Sequence, residues 1–410
     1  MADFLTAALP GIGGQLRQQP ADFLVEEIPL YAPCGHGDHL YLWIEKEGLT
    51  TFDALNHLAR ALDCRERDLG YAGLKDARAI TRQTISVPLR KPADVEKIDL
   101  PGLRILNASL HTNKLRPGHL VGNRFTIRID SPHPEAIDRA TTILEVLADL
   151  GVPNRFGEQR YGILGNSARI GQAILRGDFQ LAADEIVGDP QQISHPGWQR
   201  AAENYLTGNL AAAIGLFPRH CRNEQRLVTA LHKGADHRRA VLGMPHKLLR
   251  LYLSAYQSQL FDRLVDMRLS TLERLWPGDL AWKHSNGASF KVTDPDIEQP
   301  RADLFEISPT APMYGYKVTL ATGQAGLLEE SLLDKEQLKL ESFRLGTGLA
   351  MPGERRPLRV PIKEVRLEQQ GKQLELSFAL PKGSFATAVL AEVMKEPAED
   401  PSLTVAQPLR

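Results

Sequence analysis

Asp76 is the one carboxylate between Asp68 and Asp94, and Lys75, Arg78 and Arg82 are its near neighbours in the chain. Opposite charge within several ångströms favours the ionised form of a carboxyl group. Shielded from water as well, such a group is a usable nucleophile or base at neutral pH. On these residues alone, a solvated charged loop is the plainer reading. A second cluster, Cys34-Gly35-His36-Gly37-Asp38-His39, sets two histidines in a glycine loop as zinc could use, but no further cluster completes four ligands. No metal is expected. The chain also lacks Gly-x-x-x-x-Gly-Lys-Ser/Thr and Gly-x-Gly-x-x-Gly, so no nucleotide cofactor is expected.

The elements that must position Asp76 are readable in part. Residues 22–27 and 39–45 read as strands, the second through the continuous run Leu40, Tyr41, Leu42, Trp43, Ile44 that suits a strand covered on both faces. Residues 51–62 read as a helix with Phe52, Leu55, Leu58, Ala59 and Leu62 on one stripe and Thr51 as cap. A strand resumes at 84–89, so Asp76 falls on the connection between helix and strand. Residues 120–129 read as a strand with Phe125, Ile127 and Ile129 on one face, and 135–150 as a helix. From 154 to 351 the pattern is mainly helical, most clearly at 247–267, where Leu249, Tyr252, Leu253, Tyr256, Leu260, Leu264 and Met267 recur on one side. Residues 364–367 and 374–380 form a hairpin, followed by a helix capped by Ser384. A hairpin and one helix cannot stand alone. They must pack back onto the N-terminal third, which makes the middle an insertion. The expected domains are 1–152 and 352–395 together, 153–351 inserted, and a mobile tail at 396–410.

With 410 residues, 42% hydrophobic and 24% charged, the chain suits two globular domains. A net charge of −1 marks no nucleic-acid binder globally, but the charge is uneven. Residues 102–129 hold Arg104, Lys114, Arg116, Arg124 and Arg128 without an acid, and residues 219–250 hold eight Lys/Arg against Glu224 and Asp236. Such segments suit a polyanion, or are solvated faces. The three cysteines, Cys34, Cys64 and Cys221, are scattered and argue for a reducing compartment. No apolar run reaches membrane-span length, about 18 residues. A cytoplasmic, monomeric protein is expected.

Residues 70–83, Gly-Tyr-Ala-Gly-Leu-Lys-Asp-Ala-Arg-Ala-Ile-Thr-Arg-Gln, resemble at every specified position the G-Y-A-G-x-K-D-x-x-A-x-T-x-Q loop of the tRNA pseudouridine-13 synthases, the D family of pseudouridine synthases. Six further strings resemble that family in its order. They are Pro20-Ala21-Asp22-Phe23 with Val25 and Glu26, Gly122-Asn123-Arg124-Phe125, and Asn154 to Gly162 around Phe156-Gly157-Glu158-Gln159-Arg160. After these come Ala255-Tyr256-Gln257-Ser258-Gln259-Leu260-Phe261, Ser308 to Gly315, and Leu380 to Thr387. The chain departs where Ala311 replaces a glycine and where Arg17 replaces the family's lysine before Pro20. Arginine still supplies a permanent cation to pair with Asp76, in a different geometry.

The resemblance implies an α+β catalytic domain with a mixed, largely antiparallel sheet, interrupted by a mainly helical insert. It implies isomerisation of uridine to pseudouridine in tRNA, at position 13 of the D arm, with no cofactor and no metal. Asp76 is the implied catalytic residue, as nucleophile or as base. Phe23, Asn123, Phe125, Phe385 and Arg17 are implied at the substrate, and Lys75, Arg78, Gln159, Arg160 and Tyr256 as RNA-contacting or supporting residues. An amide such as Asn123 offers the donor and acceptor that a uracil edge requires, and a phenylalanine face stacks on a flipped base. Taken alone, Phe125 is a core residue. Two rivals stand beside this reading: a non-catalytic RNA-binding module on the same scaffold, and a glycoside hydrolase, for which Glu26 or Glu27 would have to supply a second carboxylate.

Overall fold

The computed structural model describes residues 4–16, 19–88, 90–96, 98–346 and 348–395, without the side chains of 158 and 159. Arg17, the Gln159 side chain and the tail at 396–410 lie outside the described residues. The described residues divide into two compact units, one of 4–5 with Pro153–Arg359, the other of Thr6–Val152 with 360–395.

The second unit is built on a sheet. Its elements are β1 (Gln15–Leu16), β2 (Phe23–Pro29), β3 (His39–Lys46), α1 (Thr51–Ala61), β4 (Gly70–Tyr71), β5 (Ile80–Pro88), β6 (Leu103–His111), β7 (Leu120–Asp130) and α2 (Ala136–Leu150). After the insertion come β8 (Lys363–Gln370), β9 (Gln373–Pro381) and α3 (Ala386–Met394). Among the described residues nine strands form one sheet in the order β8-β9-β7-β2-β5-β3-β6, with β1 added to β7 and β4 to β5. Only β2 and β5 pair in parallel among these strands. The expected hairpin does pack back: β9 lies along β7 from Gln373↔Asp130 to Pro381↔Gly122.

Period-two alternation decides which side chains meet. Leu40, Leu42 and Ile44 of β3 share a face with Ile85 and Val87 of β5, and α1 covers them with Ala54, Leu55, Leu58 and Ala59. At the other flank Ile127, Ile129, Leu374, Leu376 and Phe378 are buried, with α2 against β8 and α3 against α2. Between these apolar flanks the register puts Glu27, Lys46, Thr81, Gln83 and Asn123 on that same face.

The opposite face carries a ladder of alternating charge. It runs Arg104–Glu45 (3.6 Å), Glu45–Arg82 (2.9 Å), Arg82–Glu26 (3.2 Å), Glu26–Arg124 (2.7 Å) and Arg124–Glu364 (2.6 Å), with Arg128–Glu375 (3.0 Å) beside it. Exposed pairs contribute about 0–1 kcal/mol each. Their larger consequence is for the basic run at 102–129. Arg104, Arg124 and Arg128 are neutralised here and do not make the free positive patch that the sequence suggested.

Two caps differ from expectation. Thr50, not Thr51, caps α1 in a reciprocal box with Asp53 (Asp53 N to Thr50 Oγ1 3.1 Å, Thr50 N to Asp53 Oδ2 2.9 Å). At α3 the cap position is Phe385, with no side-chain cap, so Ser384 does not serve. The approach of Gly70 to the 112–119 segment is also tight. A Cβ there would lie 2.2 Å from Leu115 O and 2.5 Å from Ser86 Oγ. Gly70→Ala is therefore expected to destabilise the sheet unit by about 1–3 kcal/mol, read as a lower Tm. An unchanged Tm would show that the contact yields freely.

In the inserted unit, His246–Met267 is the central helix, burying Leu249, Tyr252, Leu253, Tyr256, Leu260 and Leu264. Met267, expected on that stripe, is exposed. The unit is not helical throughout. Ser289–Lys291, Leu280–Lys283, Ile307–Met313 and Glu354–Pro357 form a four-stranded sheet in that order. Glu354–Pro357 pairs with Ile307–Met313 at Thr310↔Pro357, which carries the unit to Arg359, past the expected 351. Short strands holding Pro309 and Pro312 give little alternation to read.

Candidate active site

Asp76 lies on the irregular loop between β4 and β5, and what fixes that loop is a buried lysine. Lys46 ends β3 at 1% exposure, and its ammonium donates to the carbonyls of Leu49 (2.6 Å), Asp76 (2.8 Å) and Lys75 (3.3 Å). All three donors of the ammonium are thus directed at backbone oxygens. Burial pulls the Lys46 pKa down to about 8, against the upward pull of the Asp76 carboxylate. A second tether runs from Lys75 N to Thr51 Oγ1 (2.8 Å), whose hydroxyl donates to Gln83 Oε1 (3.1 Å). A third joins Gly48 N to Ala77 O (3.0 Å). The backbone on both sides of Asp76 is therefore held, while the Asp76 side chain stands in an exposed residue.

Arg82 and Lys75, both near Asp76 in sequence, pair with acids and an amide of other strands. Arg82 alternates to the far face of the sheet, paired with Glu26 and Glu45. Lys75, 8% exposed, turns inward, donating to Asn123 Oδ1 at 2.7 Å with Glu27 Oε2 at 3.5 Å. Arg78 is exposed on the loop itself. Asn123 and Glu27 face each other across β7 and β2, so the Lys75 ammonium sits over a cross-strand pair. Glu27 also accepts from Thr84 N (3.2 Å). Burial raises the Glu27 pKa against the pull of Lys75, and burial lowers that of Lys75 against the pull of Glu27.

Two residues along β7, Phe125 is 7% exposed, edge-on to Phe23 (ring centroids 6.4 Å) and tilted on Phe378 (5.5 Å). Phe125 is therefore a packed ring, and the half-buried Phe23 ring is the more accessible one. Phe385, also half-buried, follows β9 at the end where Leu380 opposes Asn123. The surrounding loops are tied together, Gly118 N donating to Ala72 O (2.8 Å) and Lys382 Nζ to Gly118 O (2.9 Å).

Asp76, Lys75, Arg78, Asn123, Phe23, Phe125 and Phe385 thus all belong to the sheet unit, whereas Arg160 and Tyr256 belong to the inserted one. There Arg160 donates to Ser258 Oγ (3.1 Å) and lies over the Phe156 ring (5.4 Å). Tyr256 is fully buried and donates to Glu336 Oε2 (2.5 Å), a contact within the inserted unit. The sequence reading missed Lys46, Thr51 and Gln83 as a positioning set. The one available signal was a lysine ending the apolar run 40–44. Among the described residues no three His, Cys, Asp or Glu side chains group as metal ligands, and no helix is long and apolar enough to cross a membrane.

The family model described as tRNA pseudouridine synthase D (TruD) matches residues 2–393. The chain is 59% identical, over 96% of its length and 99% of the relative's, to a protein of Syntrophotalea carbinolica named tRNA pseudouridine synthase D. It is 54% identical to the protein of that name from Geobacter sulfurreducens, over 96% and 97% of the two chains. Among solved structures, a putative tRNA pseudouridine synthase D from Methanosarcina mazei superimposes with a TM-score of 0.82 at 28% identity, covering 96% of each chain. The α+β fold, the loop that bears Asp76 and matches along nearly the whole length agree, and this chain belongs to the tRNA pseudouridine synthase D family.

Proposed function

We propose that this protein isomerises uridine to pseudouridine in tRNA, at position 13 of the D arm, with Asp76 as its catalytic residue. The reaction breaks C1′–N1, turns the base and joins C1′ to C5. The C5 proton is lost as N1 gains one, so atoms balance without a cofactor. Asp76 acts as the nucleophile at C1′ or as the base that opens a glycal route. The observation that carries the reading is the fixed backbone of Asp76 beside the Lys75–Asn123 pair. Phe23, Phe125 and Phe385 would wall the base, and the base itself would exclude water from the exposed carboxylate. In this reading the sheet unit is the catalytic domain and the protein acts as a monomer in the cytoplasm, where tRNA is modified.

The test is pseudouridine mapping of a uridine-13 tRNA transcript after incubation with the protein. Pseudouridine at that base supports the reading, and none at any uridine defeats it. RNA affinity should fall steeply with salt, since phosphate contacts release counterions. A salt-independent Kd would count against phosphate-led binding.

A further inference from the structure

We infer that Lys75 determines base specificity by turning the Asn123 amide, so that Nδ2 alone is offered to the 4-carbonyl of uracil. The inference rests on the proposed function and deepens it.

An ammonium has three donors and no acceptor, so the amide atom 2.7 Å from Lys75 Nζ must be the oxygen. Glu27, the cross-strand neighbour of Asn123, also holds that ammonium, at 3.5 Å. Lys75 and Glu27 are both buried, so this arrangement is not an exchanging surface contact. Among the described residues, none accepts a hydrogen bond from Asn123 Nδ2. Asn123 is half-buried on the face that carries Phe23 and Phe125. An asparagine free to flip presents either a donor or an acceptor, and would greet uracil O4 and the cytosine 4-amine equally. Locked by Lys75, it presents only N–H. Uracil O4 accepts from it, whereas the amine of cytosine would face it donor against donor. Leaving such a polar group unpaired is what gives a pocket discrimination between bases.

The experiment measures Kd for two transcripts differing only by U or C at the target base. An Asp76→Asn background is used so that nothing turns over. With Lys75 intact, the U transcript should bind about tenfold more tightly. Lys75→Met should bring the ratio to about one, and Lys75→Arg, which keeps a donor, should preserve it. Asn123→Asp keeps the shape and the Lys75 contact but turns an acceptor to the base, so the preference should invert towards C. If Lys75→Met unfolds because Glu27 is left as an unpaired buried charge, Lys75→Met with Glu27→Gln removes both charges and reads the same ratio. A ratio unchanged by Lys75→Met, or near one with Lys75 in place, overturns the inference while wild-type pseudouridine formation stands. A wild type that makes no pseudouridine overturns the proposed function, and this inference with it.

Discussion

Asp76→Asn is expected to remove pseudouridine formation, by on the order of 10⁴-fold or more, while tRNA still binds with a Kd within about twofold of wild type. The substitution keeps the shape of the side chain and removes its charge. It keeps the contacts from Lys46, Thr51 and Gly48 that hold residues 75–77, because these reach backbone atoms. Neither proposed role survives the change: an amide does not add to C1′ as a carboxylate does, and it does not accept the proton that starts a glycal route. The checking measurement is single-turnover mapping of the target base with saturating enzyme, beside filter binding of the same transcript. Turnover retained by the variant would defeat Asp76 as the catalytic group. Loss of binding together with turnover would show that Asp76 organises the RNA site instead.

What the sequence made legible was local. The loop bearing Asp76, the strand bearing Asn123 and Phe125, the helix now bounded as His246–Met267 and the returning hairpin β8–β9 are each carried by a short string or a clear period. Interactions that cross the sheet were not legible. Arg82 looked like a neighbour of Asp76, yet β5 begins at Ile80, and alternation sends Arg82 to the face opposite Thr81 and Gln83. Reading that strand only from residue 84 hid the parity that would have shown it. Arg104, Arg124 and Arg128 form a basic run in one dimension and pair with acids of other strands in three. Thr51, read as a cap, is one residue inside α1, which frees its hydroxyl to hold Lys75 N. Lys46 acts on backbone carbonyls up to 30 residues away, and no side-chain pattern records such a partner.

Lys46→Met is expected to lower kcat by about 10²-fold with little change in tRNA Kd, the loss that a shift of about 1 Å in a reacting group produces. The thioether fills the lysine's place without a donor, so the carbonyls of Leu49, Lys75 and Asp76 lose their shared partner. Removing a buried ammonium offsets part of that loss, and a net destabilisation of about 2 kcal/mol should appear as a lower Tm. A purely structural lysine would show the Tm change alone. The pH dependence separates the roles further. With the Lys46 pKa pulled down to about 8, the ammonium gives up a proton, and one of its N–H donors, as pH rises through that value. Wild-type kcat should then decline above pH 8, and the Met variant should lack that limb. Stability moves the other way for this group. Between about 8 and the ordinary lysine value near 10.4, the unfolded chain binds more protons than the folded one, so the contribution of Lys46 to folding rises with pH. Activity falling while this contribution grows is the signature of an ammonium kept buried to hold the loop. A pH–rate profile identical in wild type and Lys46→Met would remove Lys46 from that role.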